Sequence, residues 1–414
     1  MSTTSTKKRY IYTVKTIIIF MRYYTSTLLL LFLSFLPIEA KESSINTEDI
    51  HISLLTCAPG EPIYTLFGHT AIRIKAHNQN IDRVYNYGLF NFNAPNFIFR
   101  FTLGETDYRL GATTYLNFIA EYEYYNRKVW EQTLNLTPIE KKELIHLLDE
   151  NYKPENRTYR YNFLYDNCST KPRDIISQSI KGTIQYEGSI DESFRSVVHK
   201  FTEGQPWSKF GIDLCLGAPA DKKITIEESM FAPIYLMDFY NNAVIIDSEG
   251  NQRPLIEETK IVFQPKEKTL THPSFFSPML TFSLLFIFIA ALSYLGIKRK
   301  KNFYAVDFIL TLIYTIIGLV LGFLSFFSVH PTVYPNYILL LFNPIHFIAL
   351  FFLIKYRKRT ATPTFLITYC VLLTFFIVVS SLLLQRFNLA IVPLTLCLIV
   401  RGINHLILHY QTKE

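Results

Sequence analysis

From about Pro273 onward the chain consists of apolar stretches of roughly 18–22 residues, the length an α-helix needs to cross the hydrocarbon core of a bilayer. Five spans are expected, at about Met279–Ile297, Val306–Phe327, Tyr337–Ile354, Phe365–Leu384 and Leu389–Leu408. Residues 273–414 therefore read as an all-α transmembrane domain of about five helices. Their connectors carry an orientation signal. Lys298, Arg299, Lys300 and Lys301 follow the first span and Lys355, Arg357, Lys358 and Arg359 follow the third, whereas the alternate loops hold only Arg386. The positive-inside rule puts the basic loops and the C-terminus in the cytoplasm, and the domain before the first span outside it.

A mean hydropathy of +0.17 is high for a soluble protein and averages two unlike halves. The net charge of +7 is largely the eight connector cations, so a nucleic-acid partner is not expected. At the N-terminus Arg22 precedes the apolar run Leu28 to Leu36, which ends at Pro37-Ile38-Glu39-Ala40 before Lys41-Glu42. This is the layout of a secretory signal peptide, with cleavage after about Ala40, and residues 1–40 read as that peptide or as an uncleaved anchor. Met21 is a possible start of translation.

Residues 41–272 are enough for one exported domain with its own core, and they read as mixed α and β. Ile72, Ile74 and Ala76 alternate with Arg73, Lys75 and His77, and Val84 to Phe92 returns after a polar turn, which predicts a hairpin with His69 near its open end. Helices are expected over Thr113 to Lys128, from Pro138 to Tyr152 behind the capping box Thr137/Glu140, over Ser169 to Ile180, over Pro206 to Leu216, and over Ile226 to Tyr240 behind Thr225. Strands are expected over Val129 to Leu136, Tyr159 to Tyr165, Ala243 to Asp247 and Arg253 to Phe263. A short tether, Pro265 to Phe275, keeps this domain near the bilayer.

Cys168, at the point where the aromatic run Asn162–Tyr165 gives way to a helix, and His69, on a strand, form the minimal equipment for covalent acyl chemistry. The helix start offers free N–H groups and a positive dipole end that favour a thiolate. The base needs an orienting partner on its second ring nitrogen. With a turn near Asn80, Asn91 falls opposite His69 while Asn86 lies further along, and either can serve. The Cys168 N–H, with Asn167 or another nearby donor, is the natural oxyanion stabiliser. Three cysteines lie in the exported domain, and with Cys168 free, Cys57 and Cys215 are the candidates for a disulfide, a pairing that sequence does not fix. No H-E-x-x-H, paired C-x-x-C or phosphate-cradling glycine loop is present, so neither a metal nor another cofactor is expected.

Several ordered motifs carry a family resemblance: Thr56-Cys57-Ala58-Pro59-Gly60, Phe67-Gly68-His69-Thr70-Ala71-Ile72-Arg73, Asn86-Tyr87-Gly88, Leu134-Asn135-Leu136-Thr137, Pro154-Glu155-Asn156-Arg157 and Asp166-Asn167-Cys168. They resemble the periplasmic domain of the Lnb lipoprotein N-acyltransferases, and the likeness continues into the multi-span tail at His330-Pro331 and Asn343-Pro344. The exported domain also resembles circularly permuted papain-like (NlpC-like) folds, in which the His-bearing strands precede the Cys-bearing helix.

The resemblance implies an α+β domain on an inner-membrane, multi-pass enzyme of Gram-negative bacteria. It would acylate the α-amino group of the lipidated N-terminal cysteine of diacylated lipoproteins. Cys168 would be the thioester-forming nucleophile, His69 the base and Asn86, within its Asn-Tyr-Gly motif, the preferred third member over Asn91. The acyl donor would be a phospholipid or the lipoprotein's own glyceride. A membrane-anchored cysteine peptidase or amidase acting on cell-wall peptides is the alternative, because the same pair can deliver an acyl group to water. The aromatic stretch Phe90, Phe92, Phe97, Phe99 and Phe101 reads either as a surface for acyl chains or as strand core. Arg401, Asn404 and His405, in the last span, and Asn343 read as interhelical packing groups.

Overall fold

The computed structural model describes residues 21–23, 49–266, 276–343, 346 and 363–411. The expected signal segment, apart from one helical turn at 21–23, most of the tether and most of the third expected span lie outside the described residues.

Among the described residues ten strands are present: β1 Ile50–Cys57, β2 His69–Ala76, β3 Ile81–Leu89, β4 Asp107–Thr114, β5 Val129–Leu134, β6 Thr158–Arg160, β7 Thr183–Gln185, β8 Val244–Ile246, β9 Gln252–Pro254 and β10 Ile256–Phe263. Seven form one antiparallel sheet in the order β10-β5-β1-β2-β3-β4-β6, and β7-β8-β9 make a small second sheet. The expected strand Arg253–Phe263 is thus divided at Leu255. Its first part stays with β8, and its second crosses to the edge of the main sheet beside β5. β1 is buried on both faces beyond His51, so its polar residues Ser53 and Thr56 are buried along with its apolar ones. Ile52 and Leu54 belong to the main core, whereas Leu55 and Cys57 pack on the other side.

Twelve helices accompany the sheets: α1 Phe97–Leu103, α2 Tyr115–Tyr124, α3 Pro138–Tyr152, α4 Thr170–Ser179, α5 Phe194–Phe201, α6 Pro206–Cys215, α7 Ile226–Ser229, α8 Pro233–Asn241, α9 Pro278–Lys298, α10 Tyr304–Phe327, α11 Pro363–Ser380 and α12 Ile391–Gln411. α3 starts as its sequence dictates, with Thr137 and Glu140 closing a capping box. Leu144 and Leu148 from α3, Ile175 and Ile176 from α4, and Leu236 and Tyr240 from α8 fill the main core against Ile52, Leu54, Ile72 and Ile74. α2 covers the opposite face, where Phe118 and Tyr122 meet Ala71 and Val84.

The single helix expected over Ile226–Tyr240 is broken at Met230–Ala232. Pro233 has no N–H to donate and disfavours helical backbone in the residue before it, so α7 stops and α8 starts afresh. The break frees the Met230 and Phe231 carbonyls from helix pairing, which matters for the site below.

Three helices, Pro278–Lys298, Tyr304–Phe327 and Ile391–Gln411, are long and apolar enough to cross a membrane, and Thr364–Ser380 is a shorter apolar helix. The third expected span opens with a short 3-10 turn at Tyr337–Leu340 before leaving the described residues. Arg401 lies buried in α12, bonded to Asp307 at 2.7 Å and to Ser293 at 3.1 Å, while His405 reaches Asp307 at 2.9 Å. Asn404 donates to the Ser293 carbonyl at 2.9 Å, so these polar groups tie α9, α10 and α12 together.

The α/β part is joined to one end of these helices. Buried Arg195 pairs with Asp213 at 2.9 Å and Asp221 at 3.0 Å, and Asn388, just before α12, donates to Asp213 at 3.0 Å. Gln385 and Asn336 donate to the carbonyls of Leu216 and Leu214 at 3.1 and 2.8 Å.

Candidate active site

The hairpin of β2 and β3 closes tightly. A 3-10 turn over His77–Gln79, ended by Asn80 in the left-handed region at φ 53°, makes Ala76 pair with Ile81 and Ala71 with Asn86. The turn is shorter than the sequence reading assumed, so the register slides and Asn91 moves away from His69. Asn91 lies exposed beyond the strand, where its side chain accepts from the Asn93 N–H at 2.9 Å. Asn86 instead sits on the same side of the sheet as His69, with Nε2 of His69 3.1 Å from its Oδ1. An amide oxygen can only accept, so Nε2 carries the proton and Nδ1 keeps its lone pair.

Cys168 is placed by a turn that Asn167 holds at every polar atom. Asn167 Oδ1 accepts from the N–H groups of Ser169 and Thr170 at 2.7 and 2.9 Å, the pattern of a helix N-cap. The Lys171 N–H bonds back to the Asn167 carbonyl at 3.2 Å, so Cys168 lies in the turn that leads directly into α4. Both Nδ2 hydrogens are taken, by the carbonyls of Phe163 at 2.7 Å and Phe231 at 2.9 Å, and the Ser169 hydroxyl takes that of Met230 at 2.7 Å. The last two acceptors are the carbonyls freed by the break before Pro233. With both hydrogens committed, the Asn167 amide positions the turn and has none left for an oxyanion.

The turn rests against the strands that carry the histidine. The Thr70 N–H, next in the chain to His69, donates to the Cys168 sulfur. Gly88, at φ +93°, lies so close that a Cβ there would be 3.3 Å from the Cys168 Cβ. Both His69 and Cys168 are only partly open to water and are packed on most sides. Desolvation pushes the Cys168 thiol up to about 11, against the opposing pull of the Thr70 N–H and of Arg127. It lowers His69 to about 4, opposed by the bond to Asn86 and aided by Arg127. At neutral pH the resting pair is thus thiol and imidazole. Burial outweighs the helix-start field expected to favour a thiolate.

Matches to family models agree with this two-part layout. Residues 39–200 match the Lnb N-terminal periplasmic domain and residues 270–413 match the Lnb transmembrane domain. The chain belongs to the Lnb family. It is accordingly a membrane protein whose N-terminal α/β domain is periplasmic. No curated protein and no solved structure matches this Lnb chain.

In the Lnb chain Cys57 and Cys215, the candidates for a disulfide, are both free thiols. Cys57 is fully buried opposite His69 in the sheet, beneath Tyr122, and Cys215 ends α6 among the residues that pack against the membrane helices. They serve different cores.

Arg127 is the site residue that the sequence did not single out. Its Nε donates to the Ala58 carbonyl at 2.8 Å and its guanidinium lies 4.9 Å from the Tyr122 ring centre, but it has no carboxylate partner among the described residues. Its buried Nη2 has no hydrogen-bond partner there either. A lone arginine at the end of a predicted helix gives no signal in sequence. Only the fold turns it toward Cys168 and His69, both of which feel its charge.

Proposed function

We propose that this Lnb protein is a lipoprotein N-acyltransferase that works through a thioester on Cys168. The observation that carries the reading is the His69–Asn86 bond beside a helix-start thiol, in a domain joined directly to membrane helices. His, Asn and Cys in these roles are those of papain-like sites, and the chain order of His-bearing strands before Cys-bearing helix supports a circularly permuted papain-like domain.

In the first step Nδ1 of His69 takes the Cys168 proton as the sulfur attacks the ester carbonyl of a lipid acyl chain. The ester C–O bond breaks, His69 returns the proton to the departing alkoxide, and Cys168 is left as a thioester. In the second step the α-amine of a diacylated lipoprotein's N-terminal cysteine attacks that thioester and gives its proton to His69. The C–S bond breaks, His69 reprotonates the sulfur, and the products are an amide and the free thiol. Asn86 fixes the imidazole throughout. The Cys168 N–H is available to the oxyanion, with Arg127 supplying positive charge nearby.

A tethered site suits this chemistry because donor and acceptor are both bilayer-anchored, and sharing the membrane plane raises their effective concentration. The periplasmic domain meets the start of α9 through Trp207 and Phe276, the end of α10 at Val329, and the start of α12 through Asn388. That arrangement and the basic connectors support an inner-membrane orientation with the C-terminus in the cytoplasm.

The deciding experiment mixes detergent-solubilised protein with phospholipid and a diacylated lipopeptide, with mass spectrometry as the readout. An N-acylated lipopeptide is expected, with a Cys168-linked acyl adduct when acceptor is omitted. Hydrolysis of cell-wall peptides with no N-acyl product would establish the peptidase reading instead.

A further inference from the structure

Helix α1 buries none of its apolar residues fully. Ile98 is 80% and Phe99 58% exposed, and Phe92 just before the helix is 61% exposed. In water this would be an uncompensated apolar patch. Its position explains it. The Phe99 ring lies 6.1 Å from that of Phe323 in α10, the His330 ring nitrogen is 2.7 Å from the Phe101 carbonyl, and the Val329 N–H donates to the Leu103 carbonyl at 2.9 Å. The helix is therefore pinned to the periplasmic end of a membrane-spanning helix, at the bilayer surface. Its one cation, Arg100, turns back to Asp107 and the Glu105 carbonyl at 2.6 and 2.7 Å, leaving the outer face apolar.

Between α1 and α10 lies an open, shallow cavity lined mainly by Phe92, Phe97, Ile98, Phe99 and Phe323, with Asn96 and Thr102 as its polar part. Its walls are mostly hydrocarbon, as an acyl chain lying along a surface would require. A line of rings leads inward from it. Phe97 stacks on Phe90 at 6.0 Å, Phe90 on Tyr108 at 5.0 Å, and Tyr108 on Tyr161 at 4.0 Å. Phe90 stands two residues beyond Gly88, the residue that abuts Cys168. Both tyrosines are pushed up first by burial and then by the Cys168 sulfur, consistent with the inner end of the line lying on the Cys168 side of the domain.

We propose that this cavity holds one acyl chain of a bilayer phospholipid, with the ring line guiding the chain's ester end toward Cys168. The inference rests on the acyl-transfer reading for its purpose but not for its binding site. A phospholipid is the occupant because the cavity is bounded by a membrane helix and an interfacial helix, where phospholipid is the solvent. Of the two readings of the aromatic stretch, acyl-chain surface and strand core, the exposed helix over Phe97–Leu103 favours the first.

The test uses the full-length Cys168→Ser chain, which cannot turn over, in phosphatidylethanolamine vesicles whose acyl chains end in a photoreactive diazirine. After irradiation, peptide mapping should find adducts concentrated on residues 92–102 and on Phe323, well above those on the exposed Leu372 and Phe375 of α11. Adding Phe99→Asp should lower labelling there about tenfold or more, the loss expected from one buried phenylalanine contact. If that chain does not fold, Ile98→Asp at the most exposed position makes the same test. Labelling no richer at the cavity than on α11, or labelling that appears only with a diazirine lipopeptide, overturns the proposal. Cavity labelling in a protein whose native form never acylates Cys168 would uphold the lipid site while removing the transferase reading.

Discussion

Oδ1 of Asn86 stands 3.1 Å from Nε2 of His69, so the free lone pair of the imidazole is at Nδ1. This bond also opposes the desolvation that lowers His69 to about 4. His69 is then neutral and able to accept a proton at every pH above about 4. The acid limb of kcat/KM for Cys168 acylation should fall near pH 4 and not near the ordinary histidine value of about 6.5. His69→Ala should cost on the order of 10²–10⁴-fold. Asn86→Ala should cost less and move the acid limb lower still. An acid limb at pH 6 to 7 would show that the base is not this buried histidine.

The same burial bears on stability. An unfolded His69 binds a proton below about 6.5 and the folded one only below about 4, so the unfolded state holds more protons across that window. This residue's contribution to stability is complete above pH 6.5 and declines as pH falls toward 4. His69→Gln should flatten that part of the denaturation midpoint-against-pH curve.

Gly88→Ala puts a methyl only 3.3 Å from the Cys168 Cβ and demands a left-handed backbone of an L-residue. The backbone term alone is on the order of 1–2 kcal/mol. Displacement of the nucleophile should lower acylation far more than the fall in Tm would suggest. Wild-type kcat/KM in this variant would mean that the Gly88 contact does not set the position of Cys168.

Arg127→Gln removes the positive charge that opposes the rise in the Cys168 thiol pKa. The midpoint for alkylation of Cys168 by iodoacetamide should move to higher pH, and His69 should become easier to protonate. Two opposite shifts, or none, would separate Arg127 from the site.

Asp213 is held below the usual carboxylate range. Burial raises it, but the bonds from His199, Asn388 and Arg195 together outweigh that term. Its stabilising contribution is present above the unfolded value near 3.9 and is lost as pH falls through the lower folded value. Asp213→Ala, which leaves Arg195 short of a partner, should cost roughly 3–5 kcal/mol, read as a drop in the unfolding midpoint of the full chain in detergent.

Much of this was legible in the chain. The capping box before α3, the β2–β3 hairpin and the helix following Cys168 follow from local patterns that the tertiary structure does not override. β1 is only half legible: Ile50-His51-Ile52-Ser53-Leu54 alternates, but the pattern breaks at Leu54-Leu55, where both faces become buried. The aromatic stretch left two readings open, a surface for acyl chains or strand core, because phenylalanines on every second residue also suit a strand. In the structure Phe97–Leu103 is a helix with an exposed face, in contact with α10. The choice between Asn86 and Asn91 depended on a turn length, where a small slip in register carries a residue out of reach. Arg127 owes its place entirely to the tertiary fold.

The Arg195–Asp213–Asn388 joint has a consequence of scale. Because α6 is held to the chain just before α12 by polar bonds, the α/β domain cannot ride up and down on its covalent connection. On the acyl-transfer reading, a joint fixed in this way would favour amines held at one distance from the bilayer, such as one attached directly to a membrane-embedded glyceride, over amines anywhere along a long peptide.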